Sequence, residues 1–143
     1  MNVETILRNK GSRVATIRPD ATIAEAVETL NRERIGALVV SEDDESVEGM
    51  VSERDIVSAL GDHGADLLSR PVDEIMTRNV IACDPADTVQ ELMAEMTNRR
   101  FRHLPVLKNG RLCGIVSIGD LVKNRLDEIE FEANSLRSFI AGG

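Results

Sequence analysis

Gly49-Met50-Val51-Ser52-Glu53-Arg54-Asp55 recurs as Gly114-Ile115-Val116-Ser117-Ile118-Gly119-Asp120, 65 positions further along the chain. In both segments a glycine, two apolar residues and a serine precede an aspartate, with two residues between serine and aspartate. Upstream the correspondence continues at an offset of 66, with Pro19-Asp20-Ala21-Thr22-Ile23 against Pro85-Ala86-Asp87-Thr88-Val89. The same offset pairs Val14 with Val80, Leu30 with Met96, Arg34 with Arg100, Leu38 with Leu104 and Val40 with Val106. Val72-Asp73-Glu74-Ile75-Met76 also echoes Val3-Glu4-Thr5-Ile6-Leu7. Such self-similarity means that one supersecondary unit is used twice.

The unit can be read in duplicate. Thr22-x-x-Glu25 and Thr88-x-x-Glu91 are capping boxes, in which the hydroxyl accepts a backbone N–H and the carboxylate reaches back. Ile23, Ala26, Val27 and Leu30 follow in the first copy, and Val89, Leu92, Met93 and Met96 in the second. Each set forms one face of an amphipathic helix. Ala37-Leu38-Val39-Val40 and Leu104-Pro105-Val106-Leu107 read as buried strands, Pro105 suggesting an edge or a strand start. A polar turn, Glu42 to Ser46, follows the first, and Lys108-Asn109-Gly110 is a hairpin signal after the second. Strands Val47 to Ser52 and Arg111 to Ser117 come next, with helices starting near Arg54 and near Gly119. The order in each copy is strand, helix, strand, strand, helix. The fold class expected is therefore α/β (α+β), with helices on one face of each small sheet.

The expected organisation is a first repeat over 1–61, a connector and lead-in over 62–78, a second repeat over 79–126 and a helical extension over 127–143. Gly61, Gly64 and Pro71 interrupt the helix pattern, and Asp66 to Ser69 can form a turn of helix. Apolar Leu67, Leu68, Val72 and Ile75 mark the connector as packed. In the extension, Val122, Leu126, Ile129, Ala133, Leu136 and Ile140 recur at spacings of a heptad seam. That seam predicts packing across a dimer or back onto the first helices, with Arg137 among carboxylates weakly fixing the register.

Composition excludes several functions. The 143 residues carry a net charge of −8, which argues against nucleic-acid binding and a polybasic membrane surface. No apolar run approaches the ~18 residues of a membrane span, and the N-terminus lacks a signal pattern. A cytoplasmic location is expected. Cys83 and Cys113 stand far apart with no CxxC spacing, and each reads as a small buried hydrophobe. His63 and His103 are the only histidines, so no zinc or other metal site is expected. With no Trp or Tyr and three Phe, a nucleotide base would have to be sandwiched by branched aliphatic side chains. No Walker A run, GxGxxG after a strand or nucleophile elbow is present, which predicts no catalysis.

The doubled Gly-apolar-apolar-Ser-x-x-Asp segment, the Pro-x-x-Thr helix starts and the Leu-Pro-Val strand together resemble the CBS (cystathionine-β-synthase-type) domain. Two copies over residues 3–126 resemble a tandem pair, or Bateman module. Arg99-Arg100-Phe101-Arg102-His103-Leu104-Pro105-Val106 and Ser117-Ile118-Gly119-Asp120 are similar to short stand-alone bacterial members. The resemblance implies two β-α-β-β-α repeats packed with pseudo-twofold symmetry, two clefts between the sheets, and an adenine nucleotide as a regulatory ligand. AMP comes first, with ATP or NADH as alternatives and S-adenosylmethionine also within the family's range. It further implies a homodimer and a protein target on a separate chain. The competing reading is a structural dimer module with non-functional clefts.

A nucleotide needs a face for its base, acceptors for its ribose and donors for its phosphate. Asp55 and Asp120 can accept from ribose hydroxyls, charge-assisted bonds of roughly 1.5–3 kcal/mol each. They can also cap a helix, and the two roles are compatible. Ser52 and Ser117 can bond phosphate at a helix start or serve as N-caps. In the family the dipeptide before apolar-Pro-Val often faces phosphate, which implies Arg102 and His103; His103 can equally be structural. At those places the first copy has Gly36 and Ala37, which admit a purine or pack tightly. It offers Arg54 where the second has Gly119. That complementarity suggests one asymmetric pocket on which Asp120 and Arg54 converge. Arg99 and Arg100 read as helix-end charges. Val80 and Ile81 complete the candidate set.

Overall fold

A computed structural model describes residues 1–142. Two short helical repeats enclose two small sheets. In the first half, α1 (Val3–Lys10) precedes β1 (Thr16–Ile17), α2 (Ile23–Glu33), β2 (Ala37–Val40), β3 (Gly49–Ser52) and α3 (Glu53–His63). Two 3₁₀ turns, Gly64–Ser69 and Val72–Glu74, connect to α4 (Val89–Arg99), β4 (His103–Lys108), β5 (Arg111–Ser117) and α5 (Ile118–Gly142).

The first sheet has the order β1-β2-β3, with β1 parallel and β3 antiparallel to β2. The second has β4 antiparallel to β5. Its counterpart of β1 shrinks to a single parallel bridge between Cys83 and Val106, where the first sheet pairs Ile17 with Val40. Pro105 is thus an inner position rather than an edge. It lacks an N–H, but its carbonyl accepts from Cys83 N at 3.0 Å. The β4–β5 hairpin turns on Asn109 and Gly110, both at positive φ, as a tight two-residue turn requires. The capping box expected at Thr22 is complete; at Thr88 the side chain accepts from Glu91 N.

Burial explains why β2 is apolar throughout. Leu38 and Val40 face the first helical core with Ile23, Ala26 and Leu30, whereas Ala37 and Val39 face the other sheet. Alternate residues of a strand point to opposite faces, and both faces here are covered. Between the sheets, Ala37, Val39 and Met50 pack with Val14, Val47, Val80, Leu112 and Ile115.

The lead-in segments cross over. Val3, Ile6 and Leu7 of α1 are buried in the second core with Leu92, Met96 and Leu121. Leu67 and Val72 are buried in the first core, with Ile75 and Met76 against it. The crossing is reciprocal to the atom. Val3 N donates to Asp87 O and Glu4 N to Pro85 O, while Val72 N donates to Ala21 O and Asp73 N to Pro19 O. This exchange supplies a reason for the glycine opening each repeated motif. A Cβ on Gly49 would stand 2.7 Å from Thr77 O and 2.8 Å from Met76 Sδ, and one on Gly114 would stand 2.6 Å from Leu7 Cδ2. The connector is packed as expected, although Leu68 is exposed.

The boundary expected between 126 and 127 falls inside α5, one uninterrupted helix of 25 residues. Gly143, the last residue of the expected extension, lies outside the described residues. Leu121 and Asn124 anchor α5. The heptad seam does not pack back onto the first helices: Leu126, Ile129, Leu136 and Ile140 are exposed. Cys83 is buried and Cys113 only partly so, both as free thiols. Burial, with help from Asp87, pushes the Cys83 thiol up to about 12 and leaves it unreactive.

Candidate functional site

The strand-to-helix junction at Ser52 follows from its local sequence. Ser52 caps α3 by accepting from Asp55 N at 3.2 Å, and Asp55 Oδ2 accepts in return from Ser52 N at 2.9 Å and Ser52 Oγ at 3.0 Å. The second copy repeats the cap: Asp120 N donates to Ser117 Oγ at 3.1 Å and Asp120 Oδ2 accepts from Ser117 N at 2.8 Å. Each aspartate therefore caps its helix with Oδ2. Oδ1 keeps no protein partner among the described residues, which leaves an acceptor for a ligand.

Two clefts flank the shared sheet face. The first has a volume of about 720 Å³, within the usual range for small-molecule sites. Ala37, Met50, Val80 and Ile81 give it apolar wall. Ser52, Arg54 and Asp55 come from the start of α3, and Arg100, Arg102 and His103 from the end of α4 and the start of β4. Gly36 stands beside the imidazole, since a Cβ there would lie 3.5 Å from His103 Cε1. Nine sequence candidates thus meet in one cavity: Gly36, Ala37, Ser52, Arg54, Asp55, Val80, Ile81, Arg102 and His103.

Ser117 and Asp120 do not join them. They line a second cleft of about 550 Å³ with Lys10, Arg13, Glu33, Arg34 and Ile115. The expected convergence of Asp120 with Arg54 is therefore corrected: pseudo-symmetry puts the two aspartates on opposite clefts, each with its own serine. Gly36, Ala37 and His103 form the wall common to both.

The clefts differ in charge. No ion pair involves Arg54, Arg100 or Arg102 among the described residues, so the first cleft holds three unpaired guanidinium groups. In the second, Lys10 Nζ lies 2.7 Å from Asp120 Oδ2, and Arg13 makes a forked pair with Glu33 at 2.7 and 2.9 Å. Burial pushes the Asp120 carboxyl up, but Lys10 and the Ser117 amide outweigh it and hold the group below its usual range. Burial lowers His103 below the ordinary imidazole value; Asp120 and Glu53 pull it up, and Lys10 and Arg102 push it further down.

The sequence marks Arg99 and Arg100 alike as helix-end charges. Arg99 does pair with Glu95 at 3.0 Å along the helix. Arg100 instead takes a left-handed backbone at the end of α4, as Arg34 does after α2, and enters the first cleft. The repeat itself held the signal, because Arg34 and Arg100 are equivalent positions before a strand. Thr77 and Phe101 also line this cleft and had no signal in spacing. Ser117 and His103 are cross-strand partners, yet Ser117 Oγ is engaged by Asp120 N rather than by the imidazole.

No helix among the described residues is long and apolar enough to cross a membrane. The CBS domain family matches residues 6–62 and 72–127. A solved CBS-domain-containing protein of Agrobacterium tumefaciens is 47% identical, with a TM-score of 0.84 over 87% of this chain and 99% of that one. A 17.7 kDa protein of Acidianus ambivalens is 39% identical over 81% of this chain and 70% of its own length. The CBS domain pair of protein MJ0100, solved with 5′-methylthioadenosine and S-adenosyl-L-methionine, is 25% identical, with a TM-score of 0.78 over 90% of this chain and 98% of that one.

Proposed function

The chain belongs to the CBS-domain family as a tandem pair, and from that premise we propose that its first cleft binds an adenine nucleotide as a regulatory ligand, without transforming it. The observation that carries this reading is the placement of three unpaired arginines and an aspartate with a free oxygen on a cavity with apolar wall. Val80 and Ile81 cover the base beside the small Ala37, Asp55 Oδ1 accepts from the ribose, and Arg54, Arg100 and Arg102 donate to the phosphate. Arginine suits that last task because its forked donors match phosphate oxygens. An adenosine-type ligand in the MJ0100 pair supports the ligand class. AMP is the first choice, since one phosphate meets several cations, with ATP and NADH as extended versions. The output would pass to a separate protein chain in the cytoplasm.

Thermal denaturation against AMP, ATP, NADH, S-adenosylmethionine and adenosine tests the proposal. A ligand at a hundred times its Kd stabilises by about 2.7 kcal/mol, a clear rise in Tm for a chain of this size. Absence of any shift would leave a module with idle clefts. Arg54→Ala sharpens the assignment: AMP binding should fall by about tenfold or more, while adenosine binding stays level. Equal losses would remove Arg54 from the phosphate.

The competing reading, a dimer module, draws on α5. Leu126 and Leu136 are about 60% exposed and Ile140 is 74% exposed, at positions that form a seam with Val122, Ile129 and Ala133. A second copy is the partner this seam fits, and dimerisation is compatible with ligand binding. Sedimentation at micromolar concentration should give a dimer, and Leu136→Asp should shift it toward monomer.

A further inference from the structure

The second cleft contains the same ribose-type carboxylate as the first, but one of the chain's own side chains already occupies it. Lys10 is the last residue of α1, a helix fixed by burial of Val3, Ile6 and Leu7 in the second core and by backbone bonds to Pro85 and Asp87. Its ammonium donates to Asp120 Oδ2 at 2.7 Å and to Ile115 O at 3.0 Å. Lys10 stands at the exposed mouth of the cleft and Asp120 is partly covered, with side-chain exposures of 35% and 24%. Charge-assisted bonds in such a setting are stronger than those to a neutral hydroxyl. Among the described residues, the equivalent carboxylate in the first cleft, Asp55, is bonded only to Ser52. Among the residues lining the first cleft there is no lysine to do for Asp55 what Lys10 does for Asp120.

A ribose entering the second cleft would bring two neutral hydroxyls to Asp120. Oδ1 is open to them, but the charge of the carboxylate is already engaged by the ammonium on Oδ2, which the ribose would have to share or displace. The rest of that cleft offers a phosphate less than the first does. Arg54's counterpart is Gly119, Arg102's is Gly36 and Arg13 is already held in a fork by Glu33, so among the described residues Arg34 is the one guanidinium lining it without an ion pair.

We infer that Lys10 acts as an internal occupant of the second cleft, so that the chain takes one nucleoside-type ligand instead of two. Lys10 is then a specificity-determining residue that sets stoichiometry from the first helix of the chain. Asp120 keeps a ribose-binding geometry at Oδ1, and removing the ammonium from Oδ2 restores the full acceptor strength of the carboxylate. The inference rests on the reading of the first cleft for the count of one, but not for the effect of Lys10.

Titration calorimetry of the full chain with adenosine and with AMP provides the test, with circular dichroism to verify that each variant is folded. Adenosine needs no phosphate donors and is the direct probe of the second cleft. Wild type should bind one equivalent and Lys10→Ala two. Lys10→Arg, which keeps the cation, should remain at one. Adding Asp120→Ala to Lys10→Ala should return the count to one. If wild type binds none and Lys10→Ala binds one, the inference stands and the first-cleft reading falls. If wild type already binds two, or Lys10→Ala gains no site, the inference is overturned.

Discussion

Among the described residues, Asp55 of the first cleft is bonded only by its own serine and three arginines stand without counter-ions, whereas in the second cleft Asp120 is held by Lys10 and Arg13 by Glu33. Both clefts come from the same unit, with serine and aspartate in the same cap. The difference lies in what stands opposite the cap. At the first cleft this is the end of α4 with Arg100 and Arg102; at the second it is the end of α2, where Arg34 keeps Arg100's place but Gly36 replaces Arg102, together with Lys10 and Arg13 from the start of the chain. A duplicated scaffold thus keeps its geometry while its charges divide into a cleft lined by three guanidinium groups free of ion pairs and one in which, among the described residues, Arg34 alone is so.

The largest effect should come from the paired aspartates. Asp55→Ala removes the ribose acceptor proposed for the occupied cleft and should weaken AMP by about 1–3 kcal/mol, roughly 5- to 150-fold. Asp120→Ala should change AMP affinity by no more than about twofold, since it serves the other cleft and shares no hydrogen-bond partner with Asp55. Calorimetric titration of both variants decides the matter. Comparable losses would mean that the two clefts act as one site, and a loss confined to Asp120→Ala would reverse the assignment.

A smaller effect, on stability, distinguishes the two crossings. Alanine at Gly49 would press its Cβ against Thr77 O, which accepts from Met50 N at 3.0 Å in a residue whose own N–H donates to Met50 O at 2.8 Å. Alanine at Gly114 would press against the Leu7 side chain, which has rotamers in which to move. Overpacking typically costs about 1–3 kcal/mol. Gly49→Ala should therefore lower the Tm by several degrees and Gly114→Ala by clearly less. Equal shifts in calorimetric melts would mean that Leu7 is as rigidly held as the backbone at Thr77.

These glycines also mark how far sequence alone reaches. The repeat, its capped helices and the β4–β5 hairpin were legible because caps, turns and apolar periods are local and occurred twice. The family resemblance held through to the matched residues 6–62 and 72–127. The exchange of lead-in segments was not legible. Val3 and Val72 echo each other whichever core receives them, and periodicity says only that they are buried. The site divided for the same reason. Nine candidates share the first cleft, but the partition of Asp120 from Arg54 depends on how two repeats face each other, a long-range fact without a short-range signature. Lys10 had none either, being an ordinary basic residue at the end of a helix.

The smallest expected effect concerns His103, part of the wall between the clefts, and it has two opposite signs. In the free protein the imidazole titrates below its usual value because it is buried, so the unfolded chain takes up a proton first as pH falls through about 6.5. The unfolded state then binds more protons, and stability should decline with falling pH until the folded-state value is passed. A phosphate beside Arg102 and His103 reverses the preference, since a nearby anion favours the imidazolium. AMP binding should therefore take up a proton, and affinity should rise as pH falls from 8 toward 6.5, by about two- to threefold and by less than the tenfold per unit that one proton allows. The groups facing the ring, Asp120, Lys10, Arg102 and Glu53, oppose one another and moderate the slope. In His103→Gln both trends should flatten, which separates the imidazole from titration of the phosphate itself. A variant that keeps the wild-type slope would remove the imidazole from the phosphate's surroundings and leave it as packing between the two clefts.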